Sequence, residues 1–499
     1  MKKLLTIALG LCLFAAGASA QEIDDRAQYQ FNIDRDLWYN SPNAAGLALG
    51  EMAQWRNVAL DYGLTAGSFR NAWDPATQSS FALRGDMLME LGIFKVAADV
   101  NLEKDALRRC KFNTSLYEVE WDMPYFAAMN LEETFPMSRT RASFDIKGAA
   151  PLLLDDQLAV GVDVKFDWRT AARNKNLRSR YNSLLLEIAP SAVYAIDDEN
   201  RVGLTVSYKA RPASNSLAAS EETPVGVAFL QGLGYYSMLT VGGDFGVGRI
   251  GYRESLFGAD LQYNRNGDAA RWLVDLSLHK GGTRVSETGT SMGSVDRYLT
   301  GAKVQGLFGE NRNRKLTARI DYNLNYWMQG VGGETSAINN LLDGGLDYTI
   351  YTGADAASNF DFVLGGGVDF LWMALRRYTP DAYLKTAHIT PYVFLGKNIH
   401  FSKESDLLVK LHLAYNFAAG SDYKYLGSSA AGNVFVNYMY DNEVDYLSYY
   451  YLRTVLDAAY TYRINSLLKT YASARLGNNK PMGVKGTRLM AELSVGVMF

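Results

Sequence analysis

The sequence predicts an all-β fold, an antiparallel transmembrane β-barrel of about 16 strands (range about 14–18) with a short N-terminal segment beside or inside the lumen. Three observations predict it. The last twelve residues alternate: Leu489, Ala491, Leu493, Val495, Val497 and Phe499 share one face, and Arg488, Met490, Glu492, Ser494, Gly496 and Met498 share the other. A strand has a side-chain period of two, so one face is apolar and the other mostly polar or small. Soluble edge strands are usually blunted with charge; a strand ending on Phe suits a bacterial outer-membrane barrel, whose last strand faces lipid and adds its aromatic to an interfacial girdle. The same alternation recurs along the whole chain. Finally, aromatics make up 12% and glycines outnumber prolines 45 to 11, while no run of about 18 apolar residues follows Gln21, so no membrane-spanning helix is expected.

The elements follow in order. Lys2 and Lys3, the apolar run 4–17 and Ala18-Ser19-Ala20 read as a secretory leader, residues 1–20, cleaved before Gln21. A lipoprotein leader at Cys12 is the rival, but Leu11 is too large for the position before a lipidated cysteine. Losing Lys2 and Lys3 takes the formal net charge from −3 to −5, and that mild acidity argues against a nucleic-acid partner. With Cys12 gone, Cys110 stands alone, which excludes an internal disulfide or a zinc cluster and leaves a buried or strand-facing thiol.

Residues 21–54 fall outside the strand pattern; a plug, a helix in the lumen and a loose leader all fit them. Residues 55–499 form the barrel with no visible domain boundary. The clearest strands are 158–169, 315–326, 406–417 and 488–499, then 201–208, 271–279 and 450–463. Weaker windows are 55–67, 79–90, 92–103, 110–120, 140–149, 182–196, 255–264, 299–308, 346–352, 360–372, 386–399 and 466–477. Aromatics gather toward strand ends, as with Phe166 and Trp168 or Tyr460 and Tyr462, which favours a barrel over a sandwich or propeller. Short polar turns at 154–157, 197–200, 264–268, 310–313 and 463–466 alternate with long links at 211–252, 281–298, 328–345 and 418–448. Barrels of this kind have short periplasmic turns and long external loops, so both termini are expected in the periplasm.

The inward faces are expected to carry Asp163, Lys165, Asp167, Arg169, Arg319, Asp321, Lys410, His412, Arg453, Asp457 and Arg475. Two readings fit these lumen-lining candidates: a water-filled pathway whose charges select solutes, and an ion-paired network that fills and stabilises the lumen. Loop 418–450 is rich in Tyr, which suits either ligand binding or an external cap.

Trp38-Tyr39-Asn40-Ser41-Pro42-Asn43-Ala44-Ala45-Gly46-Leu47-Ala48 resembles the Asn-Pro-Ala-Gly-Leu-Ala signature of FadL-type long-chain fatty acid transporters, where the N-terminal segment enters the lumen as a hatch. Asn43, Ala45, Gly46, Leu47 and Ala48 match; Ala44 replaces the Pro. The resemblance implies a plug at Asn43, Ala45, Gly46 and Leu47. The alternative is a turn followed by a small-residue packing segment. The chain as a whole resembles large outer-membrane barrels of Gram-negative gut bacteria, which implies no particular activity.

Two enzyme-like strings carry little. Gly289-Thr290-Ser291-Met292-Gly293 fits a nucleophile elbow, but its flanks lack the strand and helix an elbow needs. His400-Phe401-Ser402 resembles the His-x-Ser pair of outer-membrane phospholipases; here both residues fall on the inward parity beside a turn, with Asn416 on another strand. The four histidines have no metal-ligand spacing, and no cofactor or metal is expected. The expected function is passive outer-membrane transport of a small solute, hydrophobic if the FadL likeness holds. A closed structural or binding barrel is the alternative, with a role in a surface or secretion assembly; an outer-membrane lipid-modifying enzyme is a distant third. Expected partners are outer-membrane lipid, the barrel-assembly machinery, through the C-terminal strand and its insertion signal Phe499, and an unidentified small solute.

Overall fold

The structure, a computed structural model, describes residues 26–50, 54–113, 125–129, 134–173, 177–219, 224–242, 248–309, 311–330, 334–353, 360–424, 434–465 and 468–499. The expected leader, residues 1–20, lies outside them. In chain order the elements are α1 (Arg26–Arg35), a 3-10 turn (Ala44–Leu49), β1 (Trp55–Gly67), β2 (Thr77–Leu91), β3 (Phe94–Cys110), β4 (Phe112–Asn113), β5 (Tyr125–Met129), β6 (Phe135–Ala149), β7 (Leu158–Ala172), β8 (Arg178–Ala195), β9 (Asn200–Ala218), β10 (Val225–Gln231) and β11 (Tyr236–Val241). They continue as β12 (Gly248–Asn266), β13 (Ala270–Glu287), β14 (Thr290–Phe308), β15 (Arg314–Gln329), β16 (Glu334–Thr352), β17 (Phe362–Arg377), β18 (Ala382–Ser402), β19 (Ser405–Lys424), α2 (Val434–Ser448), β20 (Tyr451–Arg463), β21 (Lys469–Pro481) and β22 (Arg488–Met498). No described helix is long and apolar enough to cross a membrane.

Eighteen of these strands form one antiparallel sheet that closes on itself. β1 pairs with β22 from Asn57↔Met498 to Gly67↔Arg488. The ladder runs past the last strand, where the Phe499 amide donates to the Arg56 carbonyl at 3.0 Å. Closure removes the unpaired edges that an open sheet would present. Strands β4, β5, β10 and β11 form a separate small sheet.

The strand number is 18, the top of the expected range rather than its centre. Every barrel strand coincides with one alternating window; the window 110–120 does not, as its described part holds only the end of β3 and the two-residue β4. Three of the four long links are mostly strand. The 281–298 link is a hairpin turning at Thr288-Gly289, where both residues have positive φ, and the 328–345 link shrinks to 330–333. The 211–252 link contains the ends of β9 and β12 and the hairpin β10–β11. The 418–448 link begins as β19 and ends as α2. The reason is length. Strands of 19 to 21 residues far exceed the roughly 9–11 that cross a bilayer, so their upper ends carry polar side chains outward and lose the apolar signal.

The short turns at 92–93, 196–199, 267–269 and 403–404 share one end of the barrel with Trp55 and Phe499. At 196–199 the Asp197 carboxylate accepts the amides of Glu199 (2.9 Å) and Asn200 (2.7 Å), an Asx-type turn. Outward residues of the middle strands are apolar and exposed, among them Val162, Leu186, Leu204, Phe257, Leu278, Ile320, Leu395, Leu411 and Leu493. Their inward neighbours are polar, small or buried, so the faces lie as the alternation predicts.

Candidate functional site: a segment in the lumen and a cap at the far end

The N-terminal segment lies inside the barrel at its short-turn end. The Asn40 amide closes α1 by donating to the carbonyls of Ile33 (2.7 Å) and Asp36 (2.9 Å). The chain then crosses to the opposite wall as the 3-10 turn. Its polar groups meet a ring of inward side chains. Lys147 donates to the Ser41 carbonyl at 2.9 Å, and Lys303 to the Asn40 carbonyl at 3.1 Å. The Ser41 hydroxyl donates to Asp275 (3.1 Å) and the Ser191 hydroxyl accepts the Ala45 amide (3.0 Å). Asn43 is fully buried; its amide donates to Gln262 (2.9 Å) and to the Ala192 carbonyl (3.1 Å).

Helix α1 is held on the other side. Tyr29 donates to Asp86, a carboxylate that also accepts from Trp55 (2.9 Å) and Asn57 (2.7 Å). Tyr351 donates to Asp34 and Lys410 to Gln30. Phe31 packs edge-on to Tyr351 at 4.8 Å, and Arg26 stands 4.5 Å from the Tyr471 ring centre. Of the residues matching the hatch signature, Ala45 packs with Ala159 and Leu273, and Leu47 with Trp55, Leu88 and Ala149. Gly46 lies flat against Trp38, where a Cβ would meet the indole at 2.5 Å.

Above this segment the inward charges form pairs. Asp163 and Lys165 are 3.3 Å apart, with Asp145 and Glu187 within 3.9 Å of the same ammonium. Asp167 pairs with Arg169 (2.8 Å) and with Arg141 (3.0 Å). Arg319 is shared by Asp343 (3.2 Å), Asp321 (3.7 Å) and Asp369 (3.7 Å). Asp457 pairs with Arg475 at 3.4 Å. His412 stacks on Tyr392 at 5.2 Å. The expected lining residues therefore form three separate clusters, on β7, on β15 and on β19–β21, rather than one site. Beside the third cluster a cavity of about 290 Å³ opens against β1, β2 and β22, lined by Asp61, Arg84, Arg453, Arg475, Met490 and Glu492.

At the opposite end apolar packing holds a cap against the wall. Val227, Phe229, Leu233 and Val241 of the β10–β11 hairpin bury against Ile250, Val285, Val295, Trp327 and Met373 of the wall, joined by Val444 and Leu447 of α2. Arg377, 1% exposed, fixes the hairpin: it donates to the Gln231 carbonyl (3.1 Å) and to Gln329 (2.9 Å) and lies 4.0 Å over the Tyr235 ring. Under the hairpin Glu254 sits among Lys209 (3.2 Å), Arg211 (3.5 Å) and Arg297 (3.5 Å). In the Tyr-rich stretch, Tyr446 and Tyr449 pack on Phe69, at 5.0 and 6.1 Å, so this described part joins the cap; Tyr425 lies outside the described residues.

Sequence reasoning missed Lys147, Ser191, Gln262, Asp275, Lys303 and Tyr351, which hold the segment, and Arg377, which holds the cap. Their inward parity was readable; their partners, up to 317 residues away, were not. The enzyme-like strings come apart. Gly289 to Gly293 runs from the turn of the β13–β14 hairpin into β14, with no helix after it. His400 pairs with Asp406 at the foot of β18, Ser402 bonds Ser405 at 2.9 Å, and Asn416 bonds His388 instead.

The model of a family of unknown function, DUF6850, matches residues 44–499. The chain belongs to the DUF6850 family. The match begins with the 3-10 turn, so the hatch-like residues Ala45, Gly46, Leu47 and Ala48 fall within it and Asn43 stands just before it. No curated protein matches this sequence. Among solved structures, the DUF6850 chain is similar to the FrpB iron transporter of Neisseria meningitidis (9% identity, 92% of this chain and 83% of that one, TM-score 0.44). It is similar also to BauA, the ferric preacinetobactin receptor of Acinetobacter baumannii (8%, 89% and 80%, 0.42), and to a mutant of the TodX monoaromatic hydrocarbon channel (9%, 92% in both directions, 0.32).

Proposed function

We propose that this barrel spans the bacterial outer membrane with its short turns and termini in the periplasm, and passes a small polar solute when its N-terminal segment leaves the lumen. The observation that carries the reading is the ring of hydrogen bonds from opposite walls to one short segment: Lys147, Ser191, Asp275 and Lys303 on one side and Asp86 and Tyr351 on the other. These are single, exchangeable polar contacts, which water can replace. The outward apolar band supports a membrane setting, since exposed aliphatic side chains on strand after strand exceed what a water-soluble monomer carries. A lumen wall built of ion pairs favours a polar cargo over the hydrophobic one that the FadL likeness implies. Phe499, half-buried on the closing strand, is the residue we assign to recognition by the barrel-assembly machinery.

A segment in one end and a cap packed at the other, with most of the expected lumen charges already paired, favour a second reading, a closed structural or binding barrel. Planar-bilayer recording separates the two. The full chain is expected to be nearly silent, and a variant lacking residues 22–50 is expected to show steady discrete openings while keeping heat-resistant mobility on gels. A folded but silent deletion variant would leave the closed barrel standing.

A further inference from the structure

The outer face of β8, β12 and β13 carries a group of exposed cations. Arg178, Arg180, Arg249, Arg253, Lys280 and Arg284 are all exposed on the outward parity. None of their side chains forms an ion pair among the described residues. The outward carboxylate of Asp296 stands across from Gly282, diagonal to Lys280 and Arg284, without an ion pair to either; Lys280 leans over the Tyr298 ring at 5.1 Å. Elsewhere on the upper rim Arg376 and Lys424 share Asp381.

The register makes the group compact. Arg253 stands directly opposite Arg284, so two like charges sit on one face with Cβ atoms about 5 Å apart, a pairing that costs stability on its own. Arg180 and Arg249 both stand opposite Ser216 of β9, one strand to either side. The height is also defined. Arg253 is ten residues up β12 from Tyr263, about 33 Å along the strand and roughly 25 Å along the barrel axis at the usual tilt, the height of an apolar band. Below the cations lie Tyr208, Phe257, Leu186 and Leu278, all exposed. Cations above and hydrocarbon-facing side chains below make an amphiphilic surface.

We infer that this face binds the phosphate groups of a multiply phosphorylated lipid in the outer leaflet, its phosphates on the Arg253–Arg284 pair and its chains over Phe257 and Leu278. Guanidinium forks take phosphate oxygens two at a time, and a bound dianion turns the Arg253–Arg284 repulsion into attraction. The lipid is favoured over a free phosphate because only the lipid also uses the apolar surface beneath. The inference rests on the membrane reading above.

The test uses the full chain refolded into phosphatidylcholine vesicles with and without diphosphoryl lipid A, followed by native mass spectrometry of the detergent-extracted barrel. Retention of diphosphoryl lipid A is expected to exceed that of phosphatidylcholine at least tenfold, and R253Q/R284Q is expected to remove that preference while folding normally, since it relieves a like-charge contact. Equal retention by the variant overturns the proposal, as does full competition by millimolar inorganic pyrophosphate, which would make the site a phosphate site and not a lipid site. A barrel that inserts without any lipid preference also overturns it and leaves the membrane reading intact; failure to insert in any vesicle sinks both.

Discussion

Gly161 on β7 has the backbone of Ala45 where a side chain would be: a Cβ built there would stand 2.5 Å from the Ala45 nitrogen and 2.7 Å from the Ala44 carbonyl carbon. The wall therefore reserves room for the 3-10 turn at one position, and glycine is the residue that leaves it free.

Gly161→Val is expected to push the turn off the wall while leaving the β7 ladder intact. Overpacking costs about 1–3 kcal/mol, and about 1.4 kcal/mol is tenfold in an equilibrium. Open time in planar bilayers is thus expected to rise about five- to a hundredfold over the native chain, with faster protease cutting after Arg35. Unchanged conductance alongside unchanged cutting would show that the turn has another place to sit.

The two faces of the wall respond differently to charge. Val162→Arg or Leu411→Arg places a cation in hydrocarbon and is expected to cost about 2–4 kcal/mol in urea unfolding from vesicles. Lys165→Ala, on the inward face, strands buried Asp163 beside two more exposed carboxylates; a buried charged acceptor left without its partner costs about 1–3 kcal/mol, so its effect is expected to approach that of the outward substitutions. Lys410→Ala removes one contact to Gln30 and is expected to loosen α1 and little else. An order with Lys410→Ala as the worst of the four would mean that the faces are reversed.

The cap has its own lock. Arg377→Met keeps apolar bulk under Tyr235 but strands two acceptors, the Gln231 carbonyl and the Gln329 amide oxygen. Each buried acceptor left unmade costs about 1–3 kcal/mol. Hydrogen exchange at 225–241 is expected to speed up at least tenfold, with exchange in β12 and β13 unchanged. Equal acceleration across the barrel would mean that Arg377 supports the wall rather than the hairpin.

How much of this the sequence showed depends on where a residue's partners lie. Val160, Val162 and Val164 alternate with Gly161, Asp163 and Lys165 under a local rule, the period of two, so the strand and both its faces are readable. The upper ends of β12 and β13 obey the same period with Arg253 and Arg284 outward, and lose the signal because those positions stand above the apolar band. The hatch-like run from Asn43 to Leu47 was visible as a string, but that it meets Ser191, Gln262 and Asp275 follows only from the register of β8, β12 and β13. The cap was the least legible. Val227 and Phe229 lie in a glycine-rich stretch with no period, and they are buried by strands that follow much later in the chain.

The last prediction concerns pH and the dock of α2. Glu443 is 4% exposed, and burial pushes its carboxyl up to about 8, with Asp74 adding to the rise and a hydrogen bond with Asn71 opposing it. In a released helix the group returns to an ordinary glutamate value near 4.5. The docked state therefore holds a proton that the released state gives up between those two values. By linkage the dock is strongest below pH 4.5, weakens by about 1.4 kcal/mol per pH unit through the window, and reaches a floor above pH 8. Limited proteolysis of α2, measured from pH 5 to 9 in one detergent, is expected to accelerate steadily up to about pH 8 and then level off. Glu443→Gln stays neutral at every pH and is expected to hold the slow, low-pH rate throughout. A variant that keeps the native pH slope would move the titrating group elsewhere in the cap, and a native chain with no slope would show that Glu443 is ionised where it lies.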